Sequence, residues 1–510
     1  MEDIERIEGI PEGTEDEIYG GRRSGFGRDW TKGSITRNLL SLGWPMSVNA
    51  ILTMIGPTID MVWVGMLGDA SLAGMGVAGT AVMVVNSLRM GLTTGTRAMI
   101  ARFVGAGNTE GANHVAQQAF VISAAFSILM AVIGIILAEP IMRMFGLEED
   151  VVAEGAAYMR IMFIGSVAMS FRMMGEGVMQ ASGDAMTPML ASVIFRILHV
   201  VLCPFLVLGW WIFPSMGVSG AAMTNVFSQG LGAAVGLWAL FSGRSIGFDI
   251  TGWRQKAVGS NYGIVGRIVG FLAVWRLVRI GSSRLTVTLR NFSLDRNIIW
   301  RIVRIGIPSS ITGMERSLAN ILLVWLITPF GTAAVAAHSL IQRVAMFFQM
   351  PGMGVGQAAG VLAGQNLGAQ QPGRAERTGW IAAGLFSVFM VVASTIVFFW
   401  AEEIIGIFSS EPATRALGGD FLRIEIVSFM VFGVVQVLVQ CLNGVGDTWI
   451  PMFTTLATMW LVQVPMAYFL SKYTSIGVYG VRWGIVTAIA LRAVIYTAYF
   501  KAGRWKRKRV

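Results

Sequence analysis

Three side chains set inside apolar stretches have the chemistry to bind and release a proton. Asp60 stands in the stretch 39–64, and His199 and Cys203 stand in 187–210. A carboxylate in hydrocarbon is costly unless it is paired, hydrated or protonated, which marks Asp60 as a functional candidate. Asp60 lies about seven residues before the turn near Gly68, or roughly 11 Å inward along a helix. His199 lies roughly 16 Å and Cys203 roughly 10 Å inside the same end of their own stretch, which places all three in one layer. Imidazole titrates near neutrality, so Asp60 and His199 together can form a proton-binding pair. The plainer alternative is a static Asp–His hydrogen bond that only ties two helices together.

The elements that must hold these residues are membrane helices. Charged residues make up 13% and hydrophobic residues 54% of the 510 positions, and the mean hydropathy is +0.64, whereas soluble domains are roughly 25% charged. Apolar runs long enough to cross a bilayer, about 20 residues each, recur along the chain. The expected spans are 39–64, 73–98, 114–137, 156–179, 187–210, 218–241, 302–327, 336–361, 378–400, 419–441, 450–470 and 478–500. They lack the period-two alternation of lipid-facing strands, so the fold class is an all-α polytopic membrane protein with twelve transmembrane helices.

The net charge of +10 does not indicate a nucleic-acid partner, because the basic residues gather on one side. Eleven Lys/Arg and two acids fall between Arg244 and Arg304, and Lys501, Arg504, Lys506, Arg507, Lys508 and Arg509 lie after the last span. Loops of the other parity are acidic: Glu139 to Glu154 holds five acids against Arg143, and Glu402 to Asp420 holds four against Arg415. The positive-inside rule puts both termini and the central loop in the cytoplasm. The first 19 residues carry eight acids and one Arg, which predicts a disordered tail without the basic-then-apolar order of a signal peptide. Cys203 and Cys441 both sit in apolar spans and define no disulfide framework.

Sliding the chain over itself gives matches at an offset of 263: Pro45 on Pro308, Gly68 on Gly331, Gly91 on Gly354, Gly105 and Ala106 on Gly368 and Ala369, and Gly183, Asp184 and Pro188 on Gly446, Asp447 and Pro451. Each half has six crossings, so the two repeats are parallel, and a cleft between two rocking bundles is the simplest mechanical use of such duplication. The expected organisation is a disordered cytoplasmic tail over 1–34, a six-helix bundle over 35–243, a basic linker over 244–300, a second bundle over 301–500 and a basic cytoplasmic tail over 501–510. Tyr262 to Ile280 is apolar but interrupted by Arg267, Arg276 and Arg279, which predicts an interfacial helix.

Arg172 and Glu176 are four apart on one helical face, and Arg89 lies at a comparable depth, which predicts one ion network or gate. Glycines at 352, 356, 360, 364 and 368 form a smooth stripe for close helix packing. Met83, Asn86, Gln349 and Met353, near the middle of their spans, are candidate cavity-lining residues. Gly74 to Gly79 matches G-x-G-x-x-G but follows no strand, and the chain has no Gly-Lys dipeptide, so neither a dinucleotide fold nor a built-in ATPase is expected. No C-x-x-C or H-E-x-x-H occurs, and His114 and His338 read as packing or boundary residues; no metal site, cofactor or enzymatic activity is expected.

Several motifs resemble the multidrug and toxic compound extrusion (MATE) family, over nearly all of 36–500. They are Leu42-Gly43-Trp44-Pro45, Asp60-Met61-Val62-Trp63-Val64-Gly65, Gly91 to Gly107, Ala181-Ser182-Gly183-Asp184, Ile305-Gly306-Ile307-Pro308 and Gly364-Gln365-Asn366-Leu367-Gly368-Ala369-Gln370. The resemblance implies two bundles forming a V around a central cavity, and export of amphipathic, often cationic, organic compounds against inward H⁺ or Na⁺. It places the coupling site on the first-span aspartate, here Asp60, and on an Asn-x-x-x-Asp-Pro pattern in the fifth span. Aligned on Pro204, that pattern has His199 in place of the asparagine and Cys203 in place of the aspartate. Without the second carboxylate H⁺ is favoured over Na⁺, because sodium prefers hard oxygen ligands. Some family members carry a seventh-span acid near the cavity; here Glu315, offset by one, is the candidate. The expected partners are a small organic substrate, cationic or amphipathic, and the lipid bilayer of the cell membrane, with the chain a monomer. A flippase of a lipid-linked precursor, which Arg89, Arg172 and Arg196 would suit, is the alternative, and an intramembrane enzyme a more distant one.

Overall fold

Apolar runs of this length can satisfy their backbone groups in lipid only by coiling into helices. The described residues form twelve such helices, ten of them (one a bent pair) long and apolar enough to cross a membrane. The computed structural model describes residues 28–248 and 278–508, apart from the single positions 284, 289, 291 and 410. The helices are α1 (Ile35–Gly65), α2 (Asp69–Gly105), α3 (Thr109–Arg143), α4 (Glu149–Ile164 and Ser166–Ser182), α5 (Met186–Leu208), α6 (Gly217–Ser242), α7 (Arg296–Ile327), α8 (Thr332–Gly368), α9 (Pro372–Phe399), α10 (Pro412–Gly444), α11 (Trp449–Tyr473) and α12 (Tyr479–Ala502). The expected spans are all present, and most helices run past them at one or both ends. Two differ in detail. The span at 156–179 starts earlier and bends by 47° at Gly165, and α11 contains a π-helical stretch at Met459–Gln463 just before Pro465, whose missing N–H breaks the regular ladder.

The duplication is legible in the helix boundaries. Helices α2, α3, α4 and α5 begin at Asp69, Thr109, Glu149 and Met186, and their counterparts α8, α9, α10 and α11 each begin 263 residues later. Gly183 and Gly446 hold the same turn before α5 and α11, both with φ in the left-handed region, at 98° and 86°.

Four helices join the halves. Gly91 and Gly95 of α2 lie against Gly306, Ser310 and Ile302 of α7, and Gly43 and Ser47 of α1 lie against Ala358 and Gly354 of α8. Gly105 meets the Gln365 backbone, and Gly368 meets that of Arg102. Every one of these contacts falls in the part of its helix nearest the termini. Gln365 Nε2 donates to the Ala181 carbonyl at 2.8 Å and Arg102 Nη2 to Val445 O at 3.0 Å, closing the same side, where Thr448 Oγ1 also donates to Ile305 O at 2.8 Å within the second bundle. Toward the opposite side α1, α2, α7 and α8 carry exposed side chains, among them Met61, Met83, Leu318, Trp325 and Phe347. The bundles thus form a V whose mouth faces away from the termini. Of the glycine stripe on α8, Gly356, Gly360 and Gly364 pack against Gln440 and Gly444 of α10, Gly352 against Phe386 of α9, and Gly368 against α2.

The linker corrects one expectation. Val278–Ser282 is a strand paired antiparallel with Arg244–Phe248, so Val278, Arg279 and Ile280 are extended rather than helical; a two-stranded ladder satisfies their backbone where the chain leaves α6. The remainder of the expected interfacial helix, 262–277, lies outside the described residues, as does the acidic segment over 1–19. The linker then docks on α3, where Gln118 donates to Ser293 O at 2.7 Å and Asn113 accepts from the Thr288 amide at 3.0 Å. The basic segment after α12 is packed: Trp505 is fully buried, stacked on Phe500 at 4.7 Å, and Lys508 Nζ meets Asp447 at 2.7 Å.

Two predictions follow from the seam and the linker. A side chain at Gly91 or Gly105 would collide with backbone, so Gly91→Val and Gly105→Val are each expected to cost about 1–3 kcal/mol, read as a lower melting temperature in detergent. Asp295 caps α7; the amides of Ile298 and Asn297, and after them His114, hold its carboxyl below the usual carboxylate range. A depressed folded pKa contributes stability above the unfolded value and loses it as pH falls through the folded one. The melting-temperature gap between wild type and Asp295→Ala should therefore be widest above about pH 4 and narrow below it.

Candidate functional site

Residues three and four apart share a helical face, and α5 uses this spacing to point Arg196, His199 and Cys203 at α1. All three are buried, as is Asp60 opposite them. His199 Nε2 lies 2.9 Å from Asp60 Oδ1, and Cys203 Sγ lies 3.5 Å from the same oxygen. Arg196 Nη1 lies 2.9 Å from His199 Nδ1. Gly56, one turn before Asp60 on α1, leaves the space that the Arg196 guanidinium fills. Tyr158 of α4 is buried and within electrostatic reach of Asp60 and Cys203.

This order fixes the protonation pattern. Arginine is only a donor, so His199 Nδ1 must accept, and the ring's single proton must be on Nε2, donated to Asp60. The imidazole is therefore neutral, and a second proton on it would set two donors against each other. Asp60 Oδ2 is buried and has no hydrogen-bond partner among the described residues, which leaves it as the open acceptor. The His199, Cys203 and Asp60 donor atoms lie within 4.8 Å of one another, a set a soft divalent ion could use. Arg196 on the far side of the imidazole opposes a second cation there.

A second polar group lies deeper in the N-terminal bundle. Arg172 Nη1 pairs with Glu176 at 2.9 Å, and Arg172 Nε donates to Gln229 at 2.8 Å. Glu176 also accepts from Gln180 at 2.9 Å and from Asn49 of α1. Phe195 connects the two groups, with the Arg172 guanidinium 4.9 Å and the Arg196 guanidinium 5.1 Å from its ring centre. Arg89 does not join this network. Its guanidinium donates to Ser170 at 2.9 Å and to Asn86, about 9 Å along α4 from Glu176.

The other expected residues are dispersed. Met83 and Asn86 are exposed on α2, and Asn86 is held by Arg89. Gln349 and Met353 are half-buried on α8, flanking Pro351, whose carbonyl accepts from Ser47 at 3.0 Å, which places them at the seam. Glu315 is buried and paired with Arg492 of α12 at 3.7 Å, so it is not a free acid facing a cavity. The sequence reading passed over Arg196 as part of the proton site and did not find Asn49 or Gln229. The three-residue spacing from Arg196 to His199 was the available signal for the first. Nothing in sequence joins Asn49 to Glu176, 127 residues away.

Two six-helix bundles, sealed at one end by glycine-rich helix contacts and enclosing buried ionisable side chains, have the architecture of a membrane transporter. The MatE family model matches twice, at residues 45–205 and 308–469, once in each repeat, and the chain belongs to this family. The probable multidrug resistance protein YoeA of Bacillus subtilis (strain 168) is 24% identical over 486 residues, spanning 94% of this chain and 96% of the relative. The probable multidrug resistance protein NorM of Thermotoga maritima is 24% identical over 485 residues, spanning 93% and 94%. Among solved structures, a MOP superfamily transporter from Pyrococcus furiosus, described as having a binding pocket of reverse polarity, superposes with a TM-score of 0.80 at 23% identity, over 94% of this chain and 98% of that one. An outward-facing multidrug resistance MATE transporter superposes with a TM-score of 0.80 at 24% identity, over 93% and 96%.

The assigned tautomer is testable by nitrogen NMR of labelled histidine. His199 should show a protonated Nε2 and a bare Nδ1, and Arg196→Met should restore a mixture of both tautomers.

Proposed function

We propose that the chain exports amphipathic organic compounds across the plasma membrane in exchange for protons, with Asp60 as the coupling acid. The observation that carries this reading is the chain Arg196–His199–Asp60, in which every polar atom of the imidazole is committed and one carboxylate oxygen is left open. A proton on Asp60 Oδ2 removes the charge that receives the His199 hydrogen bond and so loosens the tie between α1 and α5.

Helix α1 is suited to pass that change on. Its far half bears Asp60, its near half bears the seam contacts at Gly43 and Ser47, and Pro57 lies between them. Pro57 has no N–H for the Thr53 carbonyl, so this turn is where α1 bends most easily. Protonation thereby biases the packing of the first bundle toward release of the organic substrate. With basic loops inside, the termini are cytoplasmic and the V opens outward.

Sodium is the weaker candidate ion, since Asp60 supplies one free oxygen and its neighbours are an N–H donor and a thiol. A second reading concerns the substrate's charge. Two guanidinium groups on the faces of Phe195 favour an acidic headgroup, as in a lipid-linked precursor.

Purified protein in liposomes, loaded with a fluorescent organic cation or anion and given a pH or a Na⁺ gradient, separates these readings. Asp60→Asn and His199→Gln should each slow pH-driven efflux about tenfold or more, the scale of a coupling free energy of about 1.4 kcal/mol. Undiminished pH-driven efflux in both variants, at normal expression, would discard the proposal.

A further inference from the structure

The C-terminal bundle has its own buried ionisable cluster, in a place where the first bundle carries no charge. Glu425 of α10, Arg482 of α12 and His338 of α8 are all buried. Arg482 Nη2 lies 2.7 Å from His338 Nδ1, and its Nη1 lies 3.4 Å from Glu425 Oε2. His338 Nε2 faces Asn320 Oδ1 of α7 at 3.4 Å. The Arg482 guanidinium also lies over the Phe421 ring, 4.8 Å from its centre.

We infer that Glu425, Arg482 and His338 form a second proton-binding site, so that each bundle takes up its own proton. The donor rule applied to His199 applies here as well. Arg482 must donate to His338 Nδ1, so the ring's proton is on Nε2 and the imidazole is neutral. A proton arriving at the cluster therefore goes to Glu425. Its two side-chain contacts are long, 3.4 Å to Arg482 and 3.5 Å to Ser428 Oγ, against about 2.7–2.9 Å for a firm charge-assisted bond. Once Glu425 is neutral, Arg482 still keeps His338 and the Phe421 face, and the bundle interior changes its net charge by one.

The surrounding ionisable groups are accounted for helix by helix. On α7 the neighbour is uncharged Asn320, while Glu315 lies more than a turn away with Arg492. On α8 Gln342 also donates to Asn320 at 3.4 Å. On α10 Asp420 pairs with Arg423, which in turn reaches Glu402 of the short helix Ala401–Gly406. On α12 the Tyr479 hydroxyl donates to Asp420 at 3.1 Å, and its ring meets Phe421 edge-on. Asp420 is about half exposed on the open side of the V, so Asp420 and Tyr479 stand between that surface and the buried cluster.

A purely structural ion pair would be expected where the bundle needs one to close, and the repeat argues otherwise. The positions 263 before His338 and Glu425 are Met75 and Met162, both packed in an apolar core of the first bundle, and the position before Arg482 is the uncharged Ser219. The position 263 after Asp60 is Leu323, buried in the apolar core of the second, and the position after His199 is Val462. The scaffold closes without charge at these places, and apolar replacement of a buried ion pair is often neutral or stabilising. At these positions each half has charge where the other has none.

The inference extends the proton-coupled reading above without requiring Asp60 to be the coupling acid. The test is potentiometric proton uptake by the purified full-length protein in detergent, between about pH 5 and 8. Wild type, Asp60→Asn, Glu425→Gln and the double variant are compared. Each single variant should lose about one proton per chain, with additive losses in the double. Uptake by Glu425→Gln equal to wild type overturns the second site, whereas an unchanged Asp60→Asn overturns only the first. Should Glu425→Gln fail to fold, Glu425→Asp takes its place: its uptake curve should shift along the pH axis, and a curve superimposable on wild type overturns the inference.

Discussion

A carboxylate cannot stay charged in hydrocarbon without a partner, and the structure of the first bundle is arranged around that constraint. Asp60 is met by His199, His199 by Arg196, and Arg196 by a gap that exists only because Gly56 has no side chain. Arg196 then shares Phe195 with Arg172, which binds Glu176, which holds Asn49 back on α1. The polar path leaves α1 at Asp60 and returns to it at Asn49, through α5 and α4. The two ends of that path lie at two heights on the same helix.

The duplication builds two similar frames and then fills them differently. Helix starts, turn glycines, the Asp184/Asp447 pair and the sealed end of the V repeat at one spacing, but the ionisable clusters within the bundles do not. Backbone geometry is set by the pattern of glycine, proline and apolar length, which both halves keep. The interior charges depend on single side chains, and these diverged.

Fold and site were legible to different depths. Twelve helices and the repeat could be read because each rests on a long run or on glycines at fixed spacing, which need no knowledge of neighbours. The Asp60, His199 and Cys203 grouping was readable because helix rise converts residue number into depth, and only one layer holds all three. Depth says nothing about azimuth, however. Arg89 was grouped with Arg172 on depth alone, yet it turns toward Ser170, and Glu315 turned out to face Arg492. The strand at Val278–Ser282 was hidden because apolar residues broken by arginines suit a surface helix as well as a short ladder.

The joint between the halves has few teeth. At Gly95, Gly105, Gly354 and Gly368 the surfaces meet backbone to backbone, so no bulky apolar side chain is inserted at these points and none has to be withdrawn there for the faces to part. Separation can proceed without rotamer changes along most of the contact. Resistance is left to polar ties such as Gln365 to Ala181, Arg102 to Val445, Ser47 to Pro351 and Ser310 to Leu88, which act as latches across the joint.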